Sequence, residues 1–403
     1  MKFLPRKAFF ATVILSALTS ITHAANNRII TAPSCLIKLA NVSAEVLARA
    51  QDILLLKVDA SVIDKLSDAK HQTKTPCGGF KDVTARWNQT RAFAKQTDNA
   101  SFLTDIINKP RQLHRAKSTY AIRFQTQANQ LIKQLNPQRM WDSLTTFSSS
   151  KDRHADSAEG VAAANWIQSE IETAAHAAGR HDITVSFIKT TGHKQPSVVA
   201  KLGNGQGAGV VIGAHMDTTS GYYGKKPGAD DDGSGSMTVL ESARTIIESG
   251  ATFKHPIYFI WYSAEELGLI GSQNVVAKFQ QDHIPIAAVM HFDMTGFAYH
   301  NEPTIWLMKD NVDSDLTNFV DQIIKTYTGQ PVKYTRCGYA CSDHASWDEQ
   351  GYAAALPAEA RFEDTNPVMH SSQDTIDKLS ITHMTDYAKI ATAFAVELAE
   401  PTE

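Results

Sequence analysis

The sequence has few cysteines, no excess of one charge, and no apolar run long enough to cross a membrane. Its formal net charge of -3 argues against nucleic acid as a partner, because phosphate binding requires a basic surface. We find no glycine-rich coenzyme motif and no internal repeat. With 43% hydrophobic and 20% charged residues, the composition is typical of a soluble globular protein with a sizeable core.

The N-terminus has the layout of a secretory signal peptide. Three basic residues precede a short apolar run at 8–15, and Ala24 closes a cleavage site of small residues. We therefore expect residues 1–24 to be removed on export and the protein to be secreted. Export permits disulfides. Four cysteines allow three pairings, and joining Cys337 to Cys341 and Cys35 to Cys77 is the simplest of them.

Residues 25–117 differ from the rest of the chain and contain no catalytic motif. The segment between Asp105 and Asp142 has no acidic residue, contains Pro110, and is basic. Its basic residues include Lys109, Arg111, Arg115, Lys117 and Arg123. A basic, proline-containing joint is a good protease target. We interpret residues 25–117 as a pro-region that a maturation protease removes, with a permanent small domain as the alternative.

From residue 118 to residue 403, apolar runs alternate with helical segments. The pattern predicts strands at 209–213, 256–261 and 285–292, and a helix over 234–250. Such alternation indicates a three-layer α/β/α domain with a mostly parallel central sheet. Sites in sheets of this kind lie beyond the carboxyl ends of the strands.

Potential metal ligands follow each of the three predicted strands. His215 and Asp217 come after the first, Glu265 and Glu266 after the second, and Asp293 after the third. Crowded carboxylates raise one another's pKa and need a positive counter-charge. Imidazole and carboxylate ligands together suit zinc, with cobalt and manganese as alternatives. The sequence therefore predicts a metal site at this edge of the sheet.

Six motifs, in their order along the chain, resemble the bacterial leucyl aminopeptidase family. They are His215-Met216-Asp217, Gly228 to Gly235, Ala264 to Leu269, Asp293-Met294-Thr295, Gly338 to His344, and His370. Together they form a specific pattern, although each is only moderately specific. The resemblance implies a zinc exopeptidase fold and a monomeric enzyme that removes the N-terminal residue from peptides.

The resemblance also implies the roles of individual residues. Two zinc ions would be held by His215, Asp231, Glu266, Asp293 and His370. Asp231 would bridge the ions, next to a cis peptide bond to Asp232. Asp217 would orient His215, Glu265 would be the general base, and Tyr339 would help to stabilise the oxyanion.

A pocket for the first side chain of the substrate is implied as well, with a disulfide between Cys337 and Cys341 beside it. The expected lining is Met294, Cys337, Cys341, Leu356, Ala358, Phe362, Thr365 and Met369. This apolar lining predicts a leucine-like first residue. Glu359, Glu363 and Asp364 occur in the same stretch, so a basic first residue stays an alternative.

Other functions remain as alternatives. A carboxypeptidase or an amide deacetylase of the same fold is one, with Arg336 and Arg361 as the arginines near the motifs that would bind a carboxylate. A glutaminyl cyclase, which uses a single metal, is a second. A non-enzymatic binding module is a third, but such a module would have lost ligands or the base, and all of them are present here.

Overall fold

The structure is a computed structural model, and it describes residues 27–70, 77–93, 98–112, 119–221 and 224–402. The predicted signal peptide and the end of the predicted pro-region at 113–117 lie outside these residues. Within them, no helix is both long and apolar enough to span a membrane.

An N-terminal unit, residues 27–112, is built on its own four-stranded sheet. Its elements are β1 (Asn27–Pro33), α1 (Ser34–Leu39), β2 (Glu45–Ala50), β3 (Ile53–Asp59), α2 (Ile63–Ala69), β4 (Lys81–Asp82), α3 (Thr84–Phe93) and α4 (Asn99–Gln112). The strand order is β2-β3-β1-β4, with antiparallel pairs. Both faces of β3 are buried: Leu55 packs with Trp87 and Phe102, whereas Leu54 and Leu56 face the rest of the protein.

The remaining chain forms one large α/β domain. Its helices are α5 (Gln125–Ile132), α6 (Pro137–Phe147), α7 (Ala158–Ala177), α8 (Gly235–Glu248), α9 (Ile270–Gln281), α10 (Ser314–Tyr327), α11 (His344–Glu349) and α12 (Ile381–Ala399). Its strands are β5 (Ile183–Ile188), β6 (Ser197–Leu202), β7 (Gly209–His215), β8 (Ile257–Tyr262), β9 (Ile286–Phe292), β10 (Ile305–Met308), β11 (Val332–Thr335), β12 (Ala354–Ala355) and β13 (Pro357–Ala358).

A six-stranded sheet in the order β12-β9-β7-β8-β6-β5 runs through this domain. The first four strands are parallel, and β6 and β5 extend the sheet antiparallel. An apolar layer that includes α7, α8 and α12 covers one face, and a second layer that includes α9 and α11 covers the other. The predicted three-layer α/β/α fold with a mostly parallel sheet is confirmed. A smaller sheet of order β11-β10-β13 adjoins it.

The register of the three central strands brings the predicted ligands to one edge. His215 at the end of β7 is paired with Tyr262 at the end of β8, and Ala214 is paired with Phe292 at the end of β9. Because the three strands are parallel, the segments that follow them leave the sheet side by side.

The N-terminal unit packs directly against this edge of the sheet. Leu54, Leu56, Leu66 and Phe80 form one apolar cluster with residues of the segment that follows β8. The residues contributed by that segment are Ala264, Leu267 and Ile270. The core of the N-terminal unit is therefore continuous with the turn that carries Glu265 and Glu266.

Candidate metal centre

Two imidazoles and three carboxylates meet at the edge of the sheet. Nε2 of His215 lies 3.1 Å from Oδ1 of Asp231 and 3.6 Å from Oδ1 of Asp293. Nε2 of His370 lies 2.9 Å from Oδ2 of Asp231 and 3.0 Å from Oε1 of Glu266. Asp231 thus directs one oxygen to each side, and the structure brings together all five residues that the sequence indicated.

Asp217 ties one imidazole to the turn after β8. Its Oδ1 lies 3.5 Å from Nδ1 of His215, and its two carboxylate oxygens accept the backbone N–H groups of Glu265 and Glu266 at 3.1 and 3.2 Å. A carboxylate behind an imidazole sets which ring nitrogen is left for a metal. Asp217 is fully buried, so this arrangement is shielded from water.

The aspartate-rich loop before α8 is held by a further acidic residue, which the sequence analysis missed. Asp374 accepts the backbone N–H groups of Asp230 and Asp231 at 2.9 and 3.1 Å. The peptide bond between Asp231 and Asp232 is cis. Gly228 opens the loop at φ 51°, and a Cβ there would lie 2.5 Å from the carbonyl oxygen of Asp231. Only glycine therefore fits at this position.

The carboxylate of Asp232 links the ends of two strands and the start of α8 through hydrogen bonds to the backbone. It accepts backbone N–H groups from His215, Gly235 and Met294 at 3.2, 2.8 and 3.0 Å. The N–H of Gly235 belongs to the first turn of α8, so Asp232 caps the start of this helix. The hydroxyl of Ser234, the residue before α8, donates to Asp230.

The donor set at this edge fits zinc. Ligand atoms of His215, Asp232 and Asp293 lie within 4.8 Å of one another, as do those of Asp231, Glu266 and His370. Within the described chain, Nε2 of His215 and Oε1 of Glu266 are buried, and their close approaches to Asp231 and His370 do not have hydrogen-bond geometry. Buried polar atoms normally have partners. Imidazole nitrogens and carboxylate oxygens that converge in this way are the ligands that zinc takes in proteins.

Arg153 carries a positive charge beneath the acidic residues, and no motif pointed to it. Its guanidinium donates to the carbonyl oxygens of Met216, Pro227 and Gly228 at 2.9, 2.5 and 2.8 Å. It also lies 4.4 Å from the ring centroid of Phe147. Burial lowers the pKa of Arg153 to about 10, against the opposing effect of Asp374, so the side chain stays charged at neutral pH. One cation therefore fixes both the segment after β7 and the aspartate-rich loop.

A largely apolar cavity opens beside the five residues. Of the predicted lining, Met294, Cys341, Leu356, Ala358, Phe362, Thr365 and Met369 line it. Cys337 is not among the lining residues but packs in the apolar cluster that contains Met308 and Leu356. Tyr339 and Glu265 also line the cavity, and so do Met308, Ser342 and Ala360, which the sequence analysis did not single out.

The predicted disulfide between Cys337 and Cys341 is present at the cavity. The other suggested pair is not bonded in the structure: Cys35 and Cys77 are free thiols. The two residues are nevertheless in contact: Sγ of Cys35 lies 3.4 Å from the carbonyl oxygen of Cys77.

A lysine of the N-terminal unit also reaches the cavity. Nζ of Lys70 lies 2.9 Å from Oε2 of Glu266 and 3.4 Å from Oε2 of Glu265. Burial alone would lower the pKa of Lys70, but the two glutamates outweigh it and hold that pKa well above its ordinary value. This contact spans 195 residues of sequence and has no signature in the sequence.

Comparisons with known proteins agree with this geometry. Residues 197–395 match the profile of Peptidase family M28. A probable leucine aminopeptidase of Trichophyton verrucosum is 34% identical over 338 residues, which cover 82% of this chain and 87% of that protein.

Two solved structures from Legionella pneumophila are also similar. The LapA aminopeptidase has 40% sequence identity and a TM-score of 0.85, covering 94% of this chain and 99% of that one. LapB has 35% identity and a TM-score of 0.82, covering 93% and 100%. The resemblance to leucyl aminopeptidases is thereby confirmed. The chain is a zinc-dependent aminopeptidase and belongs to peptidase family M28.

Proposed function

We propose that this enzyme removes apolar N-terminal residues from peptides at a centre of two zinc ions, with Glu265 as general base. The observation that carries the two-ion proposal is the orientation of Asp231, whose two oxygens face two separate groups. His215 and Asp293 lie on one side, and His370 and Glu266 lie on the other. A carboxylate placed in this way can bridge two metal ions.

Glu265 is placed to move a proton. It is adjacent in sequence to the proposed ligand Glu266 but lines the cavity, and both backbone N–H groups are fixed by Asp217. The turn is further defined by Ala264, a non-glycine residue at φ 53°. Zinc ions held by these residues would supply Lewis acidity that polarises the peptide carbonyl and lowers the pKa of a water molecule. Glu265 accepts the proton of that water and returns it to the leaving amine. Tyr339, also in the cavity, is proposed to stabilise the oxyanion.

The acidic residues near the pocket are engaged elsewhere, which favours an apolar first residue. Oε2 of Glu359 accepts the backbone N–H of Phe297 at 2.7 Å, and burial raises the pKa of Glu359 well above its ordinary value. Burial therefore disfavours the charged form of this carboxyl group, which lines the cavity. Glu363 and Asp364 both pair with the half-exposed Arg361. The other acidic residues that line the cavity, Asp231, Glu265 and Asp293, belong to the proposed catalytic set, so a lysine or arginine side chain in the pocket would lack a charged partner of its own.

We expect leucyl, phenylalanyl and methionyl p-nitroanilides to be hydrolysed with kcat/KM at least about tenfold higher than lysyl and arginyl p-nitroanilides. Initial rates of the enzyme without its pro-region measure this ratio. N-acetyl-leucyl p-nitroanilide is the matched control and should not be cleaved, because an aminopeptidase requires a free amino group. Equal rates on lysyl and leucyl amides would contradict the pocket assignment.

The same structure weighs against a carboxypeptidase. Arg336 pairs with Asp310 at 2.8 Å and is 67% exposed, and Arg361 pairs with Asp364. Neither arginine is among the residues that line the cavity. The two-sided arrangement around Asp231 also favours a two-metal hydrolase over a single-metal cyclase.

We further propose that the protein is exported and that residues 25–117 are a pro-region. This region folds as a unit with its own sheet and rests on the turn that carries Glu265. It therefore covers the catalytic edge in the uncleaved chain, which supports removal before peptides are hydrolysed.

N-terminal sequencing of the active protein from culture medium tests both cleavages. We expect a new N-terminus within or next to residues 113–118, and a precursor that starts at Ala25. The intracellular precursor is the control. Active secreted protein that still begins at Ala25 would show that the N-terminal unit is a permanent domain.

A further inference from the structure

Ser67, near the end of α2, makes two contacts with the candidate metal centre. Ser67 Oγ donates to Oε2 of Glu266 at 3.2 Å, and the backbone carbonyl of Ser67 lies 3.1 Å from Nδ1 of His370. Lys70 follows directly after α2, and its ammonium group lies between Glu265 and Glu266. The pro-region therefore contacts the proposed base and two proposed zinc ligands at once.

Lys70 occupies the space where substrate would bind. It lines the cavity together with Asp231, Glu265 and Tyr339, and it is 9% exposed. Gly79, in the adjoining part of the pro-region, packs against Tyr339, because a Cβ at Gly79 would lie 2.7 Å from the ring of Tyr339. These residues narrow the path by which a peptide would reach Glu265.

Contacts around Lys70 hold it in position. Asp68 pairs with Lys226 at 2.9 Å, and Lys226 also donates to the backbone carbonyl of His370. Further along the chain, the N–H of Asp82 donates to the carbonyl of Gly268 at 3.1 Å. The apolar cluster that contains Leu66 and Leu267 adds to these polar contacts. Together they hold the segment that carries Lys70 against the rest of the protein.

We propose that the pro-region keeps the enzyme latent through Lys70, whose ammonium group engages Glu265 and Glu266 and fills the substrate cleft. This inference rests on the proposed function, because latency presupposes that Glu265 is the base. An ammonium group holding Glu265 prevents that carboxylate from taking a proton from water. The same cation, 2.9 Å from Glu266, also repels a divalent ion at the adjoining ligands. Lys70 therefore weakens both proton transfer and zinc binding in the uncleaved chain.

The experiment compares variants of the uncleaved chain from Ala25 to Glu403. Lys70→Met removes the charge and keeps the length of the side chain, and Lys70→Arg keeps the charge. Lys65→Met is the matched control, because Lys65 is an exposed lysine of the same helix, α2. Each is assayed for kcat/KM on leucyl p-nitroanilide and, separately, for its zinc dissociation constant by competition with a chromogenic chelator. Mass spectrometry verifies that the chain is intact, and thermal melting verifies that it is folded.

We expect Lys70→Met to raise kcat/KM of the uncleaved chain about tenfold or more and to tighten zinc binding by a similar factor. Lys70→Arg and Lys65→Met should remain as inactive as the unmodified uncleaved chain. The enzyme freed of its pro-region, by a protease site engineered into residues 113–118, gives the reference activity.

The outcomes separate the two proposals. An active processed enzyme with an unchanged Lys70→Met chain would overturn the role of Lys70 and leave the proposed function intact. Full activity of the unmodified uncleaved chain would also overturn the role of Lys70 and leave the proposed function intact. A processed enzyme that hydrolyses no aminoacyl amide would overturn the proposed function, and the zinc dissociation constants would then decide the role of Lys70 by themselves.

Discussion

Replacing Glu265 with glutamine should lower kcat of the processed enzyme by about 10²–10⁴-fold while the zinc content stays unchanged. Glutamine has nearly the same shape as glutamate but cannot accept the proton of the attacking water. Glu265 is buried and lines the cavity, so no bulk base can replace it easily. Its neighbour Glu266, which faces His370, keeps its proposed place as a ligand.

Two measurements test this expectation together. Initial rates on leucyl p-nitroanilide give kcat, and elemental analysis gives zinc per chain. Glu248→Gln serves as the control, because Glu248 lies at the far end of α8 and forms a half-exposed pair with Arg139. Near-normal kcat for Glu265→Gln would assign the base to another residue. A loss of kcat accompanied by a loss of zinc would instead make Glu265 a ligand.

Replacing Asp231 with asparagine should reduce the bound zinc from two ions per chain to about one or fewer and reduce activity by about 10³-fold or more. One oxygen of Asp231 faces His215 and the other faces His370, at 3.1 and 2.9 Å. An amide keeps only one strong acceptor and removes the negative charge between the two imidazoles. The mutual repulsion of two closely spaced cations would then be compensated by less negative charge.

Zinc titration of the dialysed, processed protein measures this effect independently of catalysis. Asp377→Asn is a suitable control, because Asp377 is an exposed residue that pairs with Lys378. Reconstitution of the unmodified enzyme with zinc should restore its activity after dialysis against a chelator. Two tightly bound zinc ions in Asp231→Asn would contradict the bridging role.

Much of the catalytic edge was predictable because it is encoded locally. Each central parallel strand is a short, mostly apolar run, and polar residues stand at its end or directly after it in sequence, as with His215 at the end of β7 and Asp293 after β9. The order of the motifs then identified the family and indicated the proposed set of ligands. Chain direction in a parallel sheet is sufficient to bring such segments to one edge.

The supporting residues were not predictable, because their roles depend on contacts between distant segments. Arg153 reaches carbonyl groups 63 to 75 residues away, and Asp374 holds the loop at Asp230 across 144 residues. Neither lies in a pattern that differs from an ordinary surface arginine or aspartate. Their roles depend on burial, because a buried charge without a partner is costly and both side chains are therefore paired in the folded protein.

Lys70 shows most clearly the difference between what local sequence encodes and what contacts between distant segments decide. In the sequence it is one basic residue in a segment without any catalytic motif, so a pro-region could be inferred but not its contact with the active site. Apolar packing of Leu66 and Phe80 against Leu267 brings the end of α2 to the metal centre. Local patterns thus specified the strands, the proposed ligands and the family. Only long-range packing specified which cation faces Glu265 and Glu266, because that contact forms where two surfaces from distant parts of the chain meet.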